Sequence, residues 1–420
     1  MSISRNIINR SKSVIQALYG QITLYDIPKN VPEDVPLIGF LSEKQRYSLN
    51  EKGYEYFREL GGLAFSDKRI REGWSEMGIR EQLNDLTRRL ATIKSQSQIP
   101  NFDDITQEWI AKIDITFQEY ECFTPVIGLT TDKPFTLGSI TFYPLELAKA
   151  RIKHSDDPLC KSFFNDLSPE RNCLACSKVQ TEWLRTHEQM CQKTEIILNI
   201  LRYLGSLVWW NQPTKHIYLA GKQLKRVSYS FAVDEKNQIA RIAGEEFSPY
   251  PFKIDEEFLH LGNHYGLSHL QTILLKPDLS DMEQALLTAL QWYGDATQEL
   301  SLLFSFVKFY TAIETITKRK QELQAKKILP RRVSVIIGRR EKDRQAQIQQ
   351  DFETLVDERN NILHSGKPNK ENVENLAWES QIFARDSIHE IRQKIQRNGF
   401  QTKDQLTEWV KIEYEKYYSS

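Results

Sequence analysis

Beyond residue 278 the chain places apolar residues at intervals of three and four with few interruptions, a period that fits packed helices and excludes strands. The stretch "SDMEQALLTALQWYGDATQELSLLFSFVKFYTAIETITKRKQ" predicts two helices, and three more are expected near 344–365, 371–397 and 403–417. Turn chemistry in "LLKPDLSD" marks a boundary at about 270–280.

Upstream the period changes. From about 42 to 118 the pattern is mostly helical, with polar starts in "SEKQRYSLNEKGYEYFREL" and "SEMGIREQLNDLTRRLATI". At 124–145, "TPVIGLTTDKPFTLGSITFYPL" has short apolar runs punctuated by Thr, Asp, Pro and Gly, as a hairpin requires. A helix over 179–207 follows, then "KHIYLAG", "RVSYSFAV" and "QIARIAG" read as short strands. The expected organisation is a mostly helical region over 1–120, a mixed α/β region over 121–277 and a helical domain over 278–420. The fold class is therefore α+β, with a mixed α/β N-terminal part and an all-α C-terminal bundle.

At 420 residues, 40% of them apolar and 11% aromatic, the chain has ample material for more than one core. The apolar-rich run at 196–210 is broken by Asn199 and Arg202 and falls short of the roughly 20 residues that cross a bilayer, so no membrane partner is expected. The first twenty residues are basic and serine-rich, as in a transit peptide, but lack the continuous apolar centre of a secretory signal. Five cysteines, an odd number in a long chain, suit a reducing compartment better than a disulfide framework, so the cytoplasm is expected.

One helix carries the chemistry of interest. In "QIQQDFETLVDERNNILHSG" the apolar residues Ile348, Phe352, Leu355, Val356, Ile362 and Leu363 make one face at 100° per residue. Arg359 lies on or beside that face, and Asp357, Asn360, Asn361 and His364 occupy its flank. Ser365, Gly366 and Pro368 stop the helix just after His364. An arginine in line with an apolar stripe keeps its charge and needs an anion, either a carboxylate or a phosphate. Glu314 ends the line Leu303, Val307, Tyr310 on the preceding helix and is placed to supply the carboxylate; a solvated helix residue is the other reading.

An arginine followed by a polar residue, with a histidine five positions on and a glycine stop, resembles the signature of the HEPN superfamily, in particular its Apea-like branch. "FVKFYTAIETI" and "LVDERNNILHSG" match that family in order and approximate separation, and the resemblance spans roughly residues 280–400. It implies a helical bundle that pairs as a homodimer and cuts RNA with no cofactor, by attack of a ribose 2′-hydroxyl on the adjacent phosphate. In that scheme Arg359, Asn360 and His364 are catalytic, and Glu314 and Asp357 support them. Arg359 and His364 lie 140° apart on their helix, so two copies facing each other are better able than one to aim both at a single phosphate. Relatives of this kind serve as RNA-cutting effectors in antiviral defence and toxin systems, with the attached region held for a phage or cellular trigger. Other members are interaction modules without catalysis, in which Arg359 would pair only with Glu314 and His364 would cap carbonyls.

Two further patterns remain. Although Lys+Arg and Asp+Glu balance at 56 each, the segment from Lys318 to Arg344 holds eleven basic and three acidic residues. It suits either a polyanion, with Arg331, Arg332, Arg339 and Arg340 as RNA contacts, or plain solvated surface. "CLAC" has the two-residue spacing that zinc uses, so Cys173 and Cys176, with Cys160 and Cys191 (or His154 or His187 as the fourth ligand), are candidates for a structural zinc, which would make a zinc-containing nucleic-acid binder another reading. His260, His264 and His269 lack the intervening glutamate of a metalloprotease helix and read as surface or core residues.

Overall fold

The computed structural model describes residues 3–26, 37–42, 45–115, 117, 119–152, 158–165, 167–209, 217–219, 230–233, 239–243, 251–319, 322, 325–338, 341–368 and 372–418. Two compact units emerge: Met1–Cys122 with Lys178–Met190, and Phe123–Ser177 with Cys191–Ser420. The residues on either side of the expected boundary at 277 belong to one unit. The fold class is α+β, with a helical C-terminal region.

In the first unit, α1 (Arg5–Gly20) leads into β1 (Ile22–Asp26), β2 (Leu37–Ser42) and β3 (Gln45–Leu49), an antiparallel sheet with β3 in the centre. Helices α2 (Glu51–Ser66), α3 (Lys68–Gly73), α4 (Glu76–Ser95) and α5 (Phe102–Ile113) follow. Each helix has a polar N-cap whose side chain accepts a first-turn N–H: Asn50 for α2, Asp67 for α3, Ser75 for α4 and Asn101 for α5. Leu18, Leu49, Leu60, Leu90 and Trp109 meet in its core. The sheet corrects the helical reading of this region. "QRYSL" is the central strand, because β1 and β2 pair with it from both sides, and the helix starts only at Glu51, where Asn50 Oδ1 accepts from Gly53 N at 2.8 Å.

The mixed segment holds β4 (Glu119–Ile127), β5 (Leu129–Thr131), β6 (Phe135–Leu137), β7 (Ile140–Pro144), α6 (Leu145–Arg151), α7 (Pro158–Asn165), β8 (Asn172–Gln180), α8 (Trp183–Val208), β9 (Tyr218–Leu219), β10 (Ser230–Val233), β11 (Ile239–Ala243) and β12 (Phe252–Ile254). Five of these strands form a sheet in the order β6-β7-β8-β4-β9, while β12 runs parallel to β5. The expected hairpin is β6–β7, turned by Gly138 at φ 60°, a conformation that costs a glycine nothing. Strand β8 was not foreseen, and it contains "CLAC", with Cys173 opposite Pro144 and Cys176 opposite Thr141.

The second unit ends in helices: α9 (Glu256–His264), α10 (Leu267–Leu274), α11 (Asp281–Thr297), α12 (Leu302–Thr317), α13 (Ala325–Ile337), α14 (Lys342–Ser365), α15 (Val373–Asn398) and α16 (Lys403–Tyr418). Ser280 and Glu283 form a capping box at the start of α11. The core is aromatic: Tyr293 meets Phe309 edge-on, Tyr310 stacks on Phe352 at 5.7 Å, and Phe383 closes on Phe352 at 5.5 Å. Helix α13 arises inside the basic segment, where no helix was expected. Pro330 lies within it, and Leu329, Val333, Ile336 and Ile337 are buried. Among the described residues no helix is long and apolar enough to cross a membrane.

On α8, Arg202 is fully buried and donates to Glu195, Asn199 and the Ile217 carbonyl. Asn199 presses against Gly294 of α11, where a Cβ would overlap its side-chain amide. Gly294→Ala, which gains helix propensity, is therefore expected to lower stability by about 1–3 kcal/mol. Chemical denaturation of the full chain measures this.

Candidate functional site

The candidate site lies at the C-terminal ends of α12 and α14, which run in the same direction: Tyr310 stacks on Phe352, and Glu314 bonds to Arg359. On α14 the buried residues are Gln345, Phe352, Leu355, Val356, Glu358 and Ile362. The apolar face emerges from the bundle in its last turn. Leu363, expected inside, is 54% exposed, whereas Glu358 is buried. Arg359 falls where the stripe leaves the core, and its side chain keeps 30% of its exposure.

Three groups fix the Arg359 guanidinium. Nη2 lies 3.3 Å from Glu314 Oε2, Nη1 donates to Asn360 Oδ1 at 3.1 Å, and the Tyr310 ring lies below at 5.5 Å from Cζ to centroid. Lys318, four residues after Glu314, stands 3.6 Å from the other carboxylate oxygen. Glu314 thus carries two cations at the edge of the α12 core stripe, which runs through Phe306, Phe309, Tyr310 and Ile313. Burial raises the Tyr310 phenol, the Glu314 charge raises it further and Arg359 partly offsets both, so the ring stays neutral beneath the guanidinium.

His364 is exposed in the last turn of α14, which closes on Gly366 at φ 72° with Gly366 N bonded to the Ile362 carbonyl. Asp357 is exposed and pairs with Lys326 of α13 at 2.5 Å. The structure therefore joins Arg359, Glu314 and Asn360, and sets His364 and Asp357 separately on the surface of the same helix. Tyr310, Lys318 and Lys326 were not singled out from the sequence. The four-residue steps from Tyr310 to Glu314 to Lys318 are visible there once Glu314 is chosen.

The basic segment divides. Arg332 is 2% exposed and grips Glu322 with both terminal nitrogens and the Thr317 carbonyl with one. Its reading as an RNA contact is corrected: in α13 it turns inward and closes the loop after α12. Arg331 lies over the Tyr414 ring at 3.3 Å. Arg339 and Arg340 fall outside the described residues.

Cys173 and Cys176 are buried three residues apart on β8, so they point to opposite sides of the sheet, and they do not form the knuckle that a zinc pair requires. Burial alone pushes the Cys173 thiol far above its usual range, which opposes thiolate ligation. Cys191 is half-buried on α8, and His187 is exposed on the same helix. The side chain of Cys160, and His154, fall outside the described residues. Among the described residues no three of His, Cys, Asp and Glu stand together as metal ligands.

Burial raises the Glu322 carboxyl, but the hydrogen bonds and charge of Arg332 outweigh it and hold the group below its ordinary value. The stability this pair contributes is present above the unfolded glutamate range and is lost as pH falls through the lowered value. Arg332→Met should cost about 3 kcal/mol at neutral pH, because it leaves the buried Glu322 carboxylate with only Arg319, whose backbone N–H donates to it at 3.2 Å and whose Nε lies 3.8 Å away. The gap to the parent should narrow on acidification, as read by denaturation at pH 7 and pH 4. No family model, no curated protein and no solved structure matches this chain.

Proposed function

We propose that the chain is a HEPN-type endoribonuclease that cleaves RNA without a metal through Arg359, Asn360 and His364. The observation that supports this most directly is the seating of Arg359: a guanidinium at the rim of the bundle, backed by Glu314, Asn360 and the Tyr310 ring, and still partly open to solvent. A permanently charged planar fork held in this way suits the oxygens of a phosphodiester. In the proposed reaction the ribose 2′-oxygen attacks phosphorus as its proton is taken up, and the 5′-oxygen leaves as it gains one. The products are a 2′,3′-cyclic phosphate and a 5′-hydroxyl. His364 serves as general acid or base, since an imidazole can both accept and donate a proton.

Arg359 and His364 diverge by 140° around α14, so the proposed active form is a homodimer in which two copies of the helix end share one scissile bond. Leu363, 54% exposed beside His364, and Trp378 on α15, 53% exposed, give that end of the bundle apolar surface of the kind subunit contacts use. The region before α11 is proposed to restrain the enzyme in the cytoplasm until a phage or cellular trigger arrives, as in defence and toxin effectors.

A second reading, a non-catalytic interaction module, draws on the same ion pair, because Glu314 and Asn360 already engage both terminal nitrogens of Arg359. The purified full chain, incubated with total RNA in the presence of chelator, separates the two. The nuclease reading expects cyclic-phosphate ends, a drop of about 10²–10⁴-fold in His364→Ala and one of about 10²–10³-fold in Arg359→Ala. A dimer by sedimentation that leaves RNA intact under every condition supports the module. Cleavage undiminished in both variants removes these residues from the chemistry.

A further inference from the structure

Three arginines in the described residues are buried: Arg202, Arg332 and Arg392. The first two are matched, Arg202 by Glu195, Asn199 and the Ile217 carbonyl, and Arg332 by Glu322 and the Thr317 carbonyl. Arg392, 2% exposed on α15, is not. Among the described residues its one hydrogen bond runs from Nη1 to the neutral amide of Gln396 at 2.8 Å, and its buried Nε has no acceptor. A buried guanidinium without an anion costs several kcal/mol in water-free surroundings, and it cannot escape by losing its proton.

Two more unmatched groups share its surroundings. Tyr203 of α8 is fully buried with no partner for its hydroxyl, and the buried Nδ1 of His269 on α10 has none either. Arg392 acts electrostatically on both. Its guanidinium lies against Gly266, the N-cap of α10 at φ 99°, where any Cβ would overlap Nη1, Cζ and Nε. That N-cap provides no side-chain acceptor for the first turn. Burial raises the Tyr203 phenol against the pull of Arg392. Burial followed by Arg392 lowers the His269 imidazole, while Glu283 opposes and Lys276 assists. Both groups are therefore neutral near pH 7, the phenol a donor and the imidazole able to carry its proton on Nδ1. The other charges felt by Arg392 are Arg397 and Glu390, and neither makes an ion pair with it.

We propose that α8, α10 and α15 enclose a binding site for a small inorganic anion, held by Arg392 Nε, Tyr203 Oη and His269 Nδ1. Arg392 Nε can only donate, and the Tyr203 hydroxyl and the His269 imidazole can each present a proton. Among the described residues the carboxylates that act on these groups, Asp386, Glu283 and Glu390, make no ion pair with Arg392, in contrast to the paired networks around Arg202 and Arg332. The ligand is small because Tyr203 and Arg392 are 0% and 2% exposed. A halide, which accepts from several directions at once, suits one donor from each residue. An oxyanion such as phosphate is the other source of the same charge. Binding ties α15, the helix that follows the Arg359 motif, to α8 and α10 of the mixed segment.

The test is thermal unfolding of the full chain at constant ionic strength, with chloride, bromide or inorganic phosphate titrated against a bulky organic sulfonate. The expected result is a saturable rise in Tm for at least one of the three, with a constant increment per tenfold increase in concentration beyond the onset. The anion that gives it identifies the class. Arg392→Met should abolish the rise and, in the sulfonate buffer, should be at least as stable as the parent, because it removes an uncompensated charge. Tyr203→Phe keeps the ring and removes one donor, so it should move the onset at least fivefold higher whether or not the first variant folds. Crystals grown in bromide should show an anomalous peak beside Arg392 Nε. Identical unfolding in every anion, an unchanged rise in Tyr203→Phe, or crystals with only water at that position would each overturn the proposal.

Discussion

A guanidinium taken out of water has to meet an acceptor, because it cannot be neutralised at any physiological pH and its desolvation costs more than a well-packed side chain returns. This requirement organises the second unit. Arg202 meets it with a carboxylate, an amide and a carbonyl, and in doing so places α8 against Gly294 of α11. Arg332 meets it with Glu322 and the end of α12, and so draws the basic segment into a helix. Without that pair, Pro330 and the charge density of "KKILPRR" would argue for an open connector.

Arg359 meets the same requirement only in part, and its proposed role begins there. Glu314 and Asn360 hold the guanidinium and the Tyr310 ring supports it, but the stripe it belongs to is already leaving the core. A fully enclosed arginine would be structural, and a fully exposed one would be too mobile to orient a phosphate. The intermediate position, rigid behind and open in front, is what electrostatic stabilisation of a transition state requires. Arg392 departs from the pattern in the other direction, being enclosed and unmatched.

Periodicity alone revealed α11, α12, α14, α15 and α16, because each has its own apolar stripe, and it missed α13, whose stripe is interrupted by Pro330 and a run of basic residues. The pairing of Glu314 with Arg359 was also legible, since a carboxylate at the end of one stripe and an arginine on another have strong reason to meet. Strands β3 and β8 were hidden for a shared reason. "QRYSL" and "NCLACSKVQ" become strands through partners at other places in the chain, and no local period records those partners. The spacing of "CLAC" suggested a metal knuckle, but on a strand three residues is an odd step and separates the thiols across the sheet.

The sequence by itself determined the fold class, the helical end, the stop after His364 and the carboxylate available to Arg359, because these follow from periods, caps and charge within one or two helices. Only the tertiary structure decided which side chains are buried: Arg332 and Glu358 turned inward, Leu363 outward, and Arg392 sealed with a neutral amide in place of an anion. A helical wheel states which residues share a face. Whether that face is covered at a given turn depends on where the neighbouring helices end, and that is a property of the packing.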